Sequence, residues 1–188
     1  MTGSSTPTRS VVLEMSSIEQ LFAEVYANPD DDQVRRVLAD ALLATGDPRG
    51  ELILFQLEPD KDYHRRAMRL VQAHGLSWLG ALRGKVIPLA YERGFLASVS
   101  LQLQLQIRPI DFDLPIWGTV HTIDLEDADL DTFQITPVMR SLKTLIGLTP
   151  FRIADLRNLQ PETTKRLELV ALPEPPTLSN ERYDLANE

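Results

Sequence analysis

Apolar residues recur at helical spacing through the first half of the chain. Either Ser16 or Ser17 can cap a first helix. The apolar face of that helix comprises Ile18, Leu21, Phe22 and Val25. A second helix follows the acidic run 30–32 and ends at Gly46, since acidic residues favour the positive end of a helix dipole. Two further helical segments are ended by Pro59 and Gly75. The pattern predicts a helical segment over residues 16–85, after a disordered N-terminus over residues 1–15.

The polar stretch ATGDPRGE, residues 44–51, separates two apolar helical segments. Its residues have the conformational preferences of a turn: Gly46 can adopt a left-handed C-cap, Asp47 can cap the next helix, and Pro48 suits a first helical position. We therefore interpret this stretch as a corner between two helices and not as a catalytic cluster.

The second half of the chain has a longer period. Four short apolar segments are centred on Leu101, Ile123, Leu145 and Leu167, at a constant interval of 22 residues. Leucine-rich repeats have periods of about 20 to 29 residues, each unit supplying one strand and a return segment. The strict alternation of LQLQLQI, residues 101–107, is typical of a strand with one buried face. The spacing predicts stacked strands over residues 86–172; four strands of an ordinary α+β domain are the alternative.

The first half also resembles a known family. The stretch NPDDDQVRRVLADALLATGDPRGELILFQLE, with HGLSWLGALRG and YERGFLASVSL after it, is similar to the bacterial repeat-companion domain, a helical module found beside leucine-rich-repeat-like segments and common in myxobacterial proteins. The resemblance covers residues 18–103, and its most specific part runs from Asp40 to Glu51, with Ala41 where an aromatic residue is usual. It implies an α+β fold in which an N-terminal helical cap packs on a short leucine-rich-repeat-like sheet of about four parallel strands. It implies no catalytic residues.

Stacked repeats would place the residues beside the buried leucines in columns on one open sheet face. The three predicted columns are Ser100, Thr122, Thr144, Arg166; then Gln102, Asp124, Ile146, Glu168; then Gln104, Glu126, Leu148, Val170. Such faces bind partners in solenoid proteins, and a terminal strand can accept an extended peptide by strand addition. The predicted partner-binding residues are Ser100, Gln102, Gln104, Thr122, Asp124, Glu126, Thr144, Ile146, Arg166 and Glu168.

Composition narrows the classes of function. The chain has 188 residues, 43% of them hydrophobic and 24% charged, which is typical of a globular protein. It contains no cysteine, so it has no disulfide or thiolate metal site, as expected in the cytoplasm. A net charge of -8 disfavours nucleic acid as a partner. Neither a signal-peptide pattern nor a run of 18 apolar residues is present, so we expect no membrane insertion. The proline-rich end, residues 173–188, predicts a flexible tail.

The acidic run 124–131 is the main candidate for metal or catalytic chemistry. A calcium-binding loop that started at Asp127 would have Thr132 in place of the required glycine and Val138 in place of the closing glutamate. The three histidines, His64, His74 and His121, lack metal-ligand spacing, and no nucleotide-binding or nucleophile motif occurs. We therefore expect no metal, no cofactor and no enzyme, with an enzyme that uses the acidic run as an alternative.

These observations predict a non-catalytic module that binds a protein or a peptide. Because similar modules are common in myxobacteria, which are rich in peptide natural products, one concrete form is an accessory protein for a precursor or leader peptide. The main alternative is a structural subunit whose exposed sheet edge pairs with a second copy to form a homodimer.

Overall fold

The computed structural model describes residues 9–58, 62–101, 109–126 and 128–172, with residues 9–16 given by their backbone alone. Within these ranges the fold is α+β, with six α-helices and one five-stranded mixed sheet. The helices are α1 (Arg9–Ala27), α2 (Asp32–Thr45), α3 (Pro48–Leu57), α4 (Tyr63–Trp78), α5 (Pro150–Leu159) and α6 (Pro161–Thr164). The strands are β1 (Ile87–Glu92), β2 (Phe95–Ser100), β3 (Thr122–Asp124), β4 (Thr144–Leu148) and β5 (Glu168–Ala171). Two short 3-10 helices span Gly80–Leu82 and Pro115–Thr119.

The corner between α2 and α3 confirms the interpretation of residues 44–51. Gly46 has a φ of 78° and ends α2 in the left-handed conformation. The Asp47 carboxylate accepts a hydrogen bond from the Arg49 backbone N–H at 2.8 Å, and Pro48 is the first residue of α3. Gly50 lets the two helices cross closely, because a Cβ atom there would lie 2.7 Å from the Ala39 carbonyl oxygen.

Two predicted helix boundaries are corrected by the structure. Helix α1 begins at Arg9 and not at Ser16 or Ser17, so residues 9–15, predicted to be disordered, are helical. Helix α4 does not end before Gly75 but continues to Trp78. A glycine at position 75 suits the packing, because the absence of a side chain leaves room for the Tyr91 ring. The Tyr91 hydroxyl donates a hydrogen bond to the Gly75 carbonyl oxygen at 2.7 Å.

Prolines begin helices in the last return segment. Pro150 and Pro161 are the first residues of α5 and α6. A proline is tolerated at this position because its missing N–H has no partner within the helix.

The sheet has the strand order β1-β2-β3-β4-β5. Strands β2 to β5 are parallel, and β1 adds an antiparallel edge strand that the sequence did not predict. The hairpin between β1 and β2 turns through Arg93 and Gly94, whose φ values of 49° and 80° are those of a two-residue type I′ turn. The corresponding residues of the parallel strands are Val99, Ile123, Leu145 and Leu169. Their intervals are 24, 22 and 24 residues, so the constant period of 22 holds only for the central pair.

Buried residues form two clusters that cross the predicted boundary between residues 85 and 86. The larger cluster joins Leu52 of α3 and Ala67 of α4 to the apolar face of the sheet. The smaller cluster joins α1, α2 and α3 to Phe95 of β2. The residues on the two sides of this boundary therefore share their cores.

Candidate binding site

The predicted sheet face is assembled in a different register. Ser98, Thr122, Thr144 and Glu168 lie side by side on successive strands. Ser100 pairs with Asp124 and not with the predicted Thr122, and Thr144 pairs with Glu168 and not with Arg166. Both differences come from return segments that are two residues longer than the central one.

Several predicted partner-binding residues lie outside this face. Ser100 is buried, and Arg166 precedes β5 and lines a separate cavity of about 320 Å³. Glu126 lies in a turn after β3, where its backbone N–H donates to the Asp124 carboxylate at 3.0 Å. Gln102 and Gln104 lie outside the residues that the structure describes. The face that the structure brings together consists of Thr122, Asp124, Thr144, Ile146 and Glu168.

Position 147 of this face is occupied by glycine for a structural reason. Its φ is +77°, in the left-handed region. A Cβ atom at this position would lie 2.2 Å from Asp124 Oδ1 and 2.6 Å from the Glu126 backbone nitrogen. The glycine thus makes room for the turn that follows β3.

A larger concave surface lies between α4 and β1, and the sequence analysis did not predict it. This groove has a volume of about 830 Å³. One wall is a face of α4 from Tyr63 to Leu76, and the other is the continuous run 88–93 of β1 and its turn. We call it the α4–β1 groove.

Apolar side chains are unusually exposed along the α4–β1 groove. Met68 is 54% exposed, Leu76 58% and Leu89 51%. Tyr91 lies below them, and burial raises the pKa of its hydroxyl to about 12. Met68 and Leu76 widen the apolar face of α4 beyond the residues that contact the core. This extra width was the signal available in the sequence.

Strand β1 also offers backbone hydrogen-bonding groups to the groove. It is the first strand of the sheet, and alternate residues of such an edge turn their N–H and C=O groups away from the paired strand. One of these groups, the Tyr91 carbonyl, accepts a hydrogen bond from Gln56 Nε2 at 2.8 Å. Pro88 has no N–H to offer. Within the described residues no strand pairs with this edge, which has one engaged carbonyl at Tyr91 and one missing donor at Pro88.

Two buried arginines hold the β1–β2 hairpin against the helices. Arg35 Nη1 donates to the Arg93 carbonyl at 3.0 Å, and Arg49 Nε donates to the Gly94 carbonyl at 2.9 Å. Both guanidinium groups lie over the Phe95 ring, at 4.7 and 4.4 Å from its centroid. Burial, with a smaller effect of the nearby Arg93, lowers the pKa of Arg35 to about 10. The Arg49 of the helix corner is therefore a positioning residue for β1.

The two walls of the groove differ in charge. Helix α4 contains three arginines and no acidic residue. Arg65 pairs with Asp62 at 3.1 Å, whereas Arg69 is exposed and forms no ion pair with any residue in the described part of the chain. On the strand side, Glu92 lies 3.2 Å from His121, and Arg93 is paired with Asp30 and Asp32. Helix α4 is therefore the positively charged side of the groove.

In the described ranges, no group of three His, Cys, Asp or Glu side chains is arranged to hold a metal ion, and neither of the two cavities is lined by the acidic run 124–131. Among the helices of those ranges, none combines the length and the apolar character needed to cross a bilayer.

Comparison of the chain with protein-family models, curated proteins and solved structures gives no match. The resemblance to the repeat-companion domain therefore stays a prediction from the sequence.

Proposed function

We propose that this protein is a non-catalytic module that binds a segment of another polypeptide in the α4–β1 groove. The observation that carries the proposal is that an edge strand and a helix face each other across a cavity of about 830 Å³. An edge strand supplies backbone hydrogen bonds, and the apolar helix face supplies side-chain contacts, which are the two components of recognition by strand addition.

The dimensions of the groove suit a short extended segment. The α4 wall from Tyr63 to Leu76 is roughly 20 Å long at ~1.5 Å per residue. An extended chain at ~3.3 Å per residue would cover it with about six residues. Met68, Leu76 and Leu89 are each about half exposed, so covering them would stabilise a complex by roughly 0.8–1.5 kcal/mol per side chain, half of the full transfer value.

The proposal includes the architecture predicted from the sequence. Helices α1–α4 would act as a cap on a short leucine-rich-repeat-like sheet, which is supported by four parallel strands at intervals of 22 to 24 residues. A cytoplasmic protein without cysteine that binds a precursor or leader peptide would fit this role.

A peptide selection tests the proposal directly. A displayed library of random peptides is selected on the wild-type protein, and the enriched peptides are synthesised and titrated by fluorescence anisotropy. We expect Leu76→Asp to weaken binding about tenfold or more, because it places a charge where an apolar anchor is buried. Leu76 is 58% exposed, so the variant is expected to keep its fold, which circular dichroism checks.

Two further variants locate the site. Phe151→Asp changes an apolar residue of α5 that is 75% exposed and distant in sequence from the groove, so it should bind like wild type. The double variant Gln102→Arg, Asp124→Arg tests the predicted sheet face. If the double variant loses binding while Leu76→Asp and Phe151→Asp keep it, the site lies on the sheet and not in the groove. If the library selection enriches no peptide, the proposed function is refuted.

A second candidate function is self-association through β5. Within the described residues no strand pairs with the outer edge of β5, and Val170 is 40% exposed there. An unpaired edge with apolar residues can pair with a second copy. Sedimentation at increasing concentration distinguishes this candidate, since a dimer that Val170→Lys dissociates would support it and a monomer throughout would exclude it.

A further inference from the structure

The charge distribution of the α4–β1 groove indicates what kind of segment it accepts. Arg69 precedes Gln72 by three residues and Leu76 by seven, and both of these residues line the groove. Residues at these spacings lie on one side of a helix, so Arg69 continues the groove-lining side. Arg65 lies one turn before Arg69 and is equally exposed to solvent. The two side chains thus form a cationic rim beside the apolar trough.

The acidic groups near the groove are already engaged. Glu92, the acidic residue among those that line it, faces His121 at 3.2 Å. Asp30 and Asp32 pair with Arg93 at 3.6 and 3.2 Å. By contrast, Arg69 has no acidic partner among the described residues, and the ion pair of Arg65 with Asp62 is exposed on both sides. An added carboxylate would therefore meet an available cation on the helix side.

We propose that the α4–β1 groove selects an extended acidic segment that presents both apolar and acidic side chains to α4. The proposal rests on the function proposed above and adds the chemistry of the partner. Successive side chains of an added strand point to opposite faces, so the side chains that meet α4 come from every second residue of the segment. Apolar side chains would enter the trough of Met68, Leu76 and Leu89, while acidic side chains would reach the rim of Arg65 and Arg69.

The net charge of the protein does not override this local preference. The chain carries a charge of -8, which would repel an acidic segment at long range. At physiological ionic strength, however, charges are screened over about 8 Å, so the rim next to the bound segment outweighs remote carboxylates. The preference should consequently weaken as salt is added.

Two synthetic peptides test the inference. Each has about eight residues, which is longer than the roughly six that cover the groove. In one peptide the side that faces α4, formed by every second residue, carries valine and glutamate in turn. In the other peptide it carries valine and lysine in turn. Serine occupies the remaining positions, and both peptides carry the same fluorophore. We expect the acidic peptide to bind the wild-type protein about tenfold more tightly, the effect of two partly exposed charge pairs. In Arg65→Glu, Arg69→Glu the preference should reverse.

The matched control is Arg157→Glu, Lys165→Glu, which changes the net charge equally. Like Arg65, Lys165 pairs with an acid three residues earlier, and like Arg69, Arg157 is exposed on a helix. The control should retain the preference of the wild type. If the control loses the preference too, net charge and not the rim selects the peptide, and the inference is overturned.

The remaining outcomes separate this inference from the proposed function. Equal binding of both peptides, lost in Leu76→Asp, would overturn the acidic preference while leaving a polypeptide-binding groove. No binding of the acidic peptide to the wild type would also overturn the inference, and the library selection would then decide the proposed function independently.

Discussion

Gly147→Ala tests the tight contact between β4 and the turn after β3. The substitution adds one carbon at a residue whose φ is +77°. That carbon would lie 2.2 Å from Asp124 Oδ1 and 2.6 Å from the Glu126 nitrogen, so the turn has to move. The hydrogen bond from the Glu126 N–H to the Asp124 carboxylate, at 3.0 Å, is the interaction most directly exposed to this movement.

The expected loss of stability has two parts. A non-glycine residue in the left-handed region costs about 1–2 kcal/mol. Disruption of the hydrogen bond and displacement of the turn together add about 1–2 kcal/mol. We therefore expect Gly147→Ala to lower the free energy of unfolding by about 2–4 kcal/mol, which lowers the Tm by roughly 5–15 °C in a chain of this size.

Gly46→Ala is the matched control. Gly46 has a φ of +78°, almost the same as that of Gly147, and a Cβ atom there would have nothing within 4 Å. It should therefore cost only the conformational part, about 1–2 kcal/mol. The difference between the two variants isolates the crowding at Asp124.

Urea denaturation followed by circular dichroism measures both variants, provided that the slopes with urea are equal. Asp124→Ala removes the nearest atom, so it should cost less in the Gly147→Ala background than in the wild type, by about 1 kcal/mol. Equal stability of Gly147→Ala and Gly46→Ala would show that the crowding does not exist, and the close approach of β4 to this turn would then be incorrect.

Two other residues of the groove give predictions. The Gln56 side chain hydrogen-bonds both the Tyr91 carbonyl, at 2.8 Å, and the Gly94 N–H, at 2.7 Å, and Gln56→Leu removes both bonds. Urea denaturation should therefore show a free energy of unfolding lower by about 1–3 kcal/mol. The control Gln33→Leu, on the exposed side of α2, should have little effect. Tyr91→Phe should cost about 1 kcal/mol at neutral pH, because the hydroxyl no longer donates to Gly75. The tyrosine pKa is raised to about 12 in the folded state, so between pH 10 and 12 the unfolded state loses its proton first, and the advantage of wild type over Tyr91→Phe should decrease. Arg35, whose lowered pKa acts in the opposite direction, is present in both proteins and cancels in this comparison. An advantage that stays constant over this pH range would contradict the burial of the hydroxyl.

Local signals predicted local structure well. The capping roles of Gly46, Asp47 and Pro48 depend on the conformational preferences of single residues and their nearest neighbours, so they were readable from the sequence. The parallel strand at Leu145 was predicted from the spacing of apolar residues along the chain. Prediction failed where a distant residue decides the outcome: Gly75 continues α4 because the Tyr91 ring fills the space beside it.

The candidate site was predicted only in part. The open sheet face was expected, but its register depends on the lengths of the returns, which the repeat period does not determine. The α4–β1 groove was missed because Met68, Leu76 and Leu89 come from separate elements, and their exposure follows only from how those elements pack.

The sequence by itself determined the helices of the first half, the helix corner, the spacing of the two central parallel strands and the absence of cysteine chemistry. These properties depend on composition and on residues close together in the chain. Only the tertiary structure decided the strand register, the antiparallel β1 and the groove beside it. The physical reason is that Arg35, Arg49 and Gln56 bind the carbonyl and N–H groups of a hairpin about forty to sixty residues away. Contacts over such separations arise from packing, and no local pattern of residues encodes them.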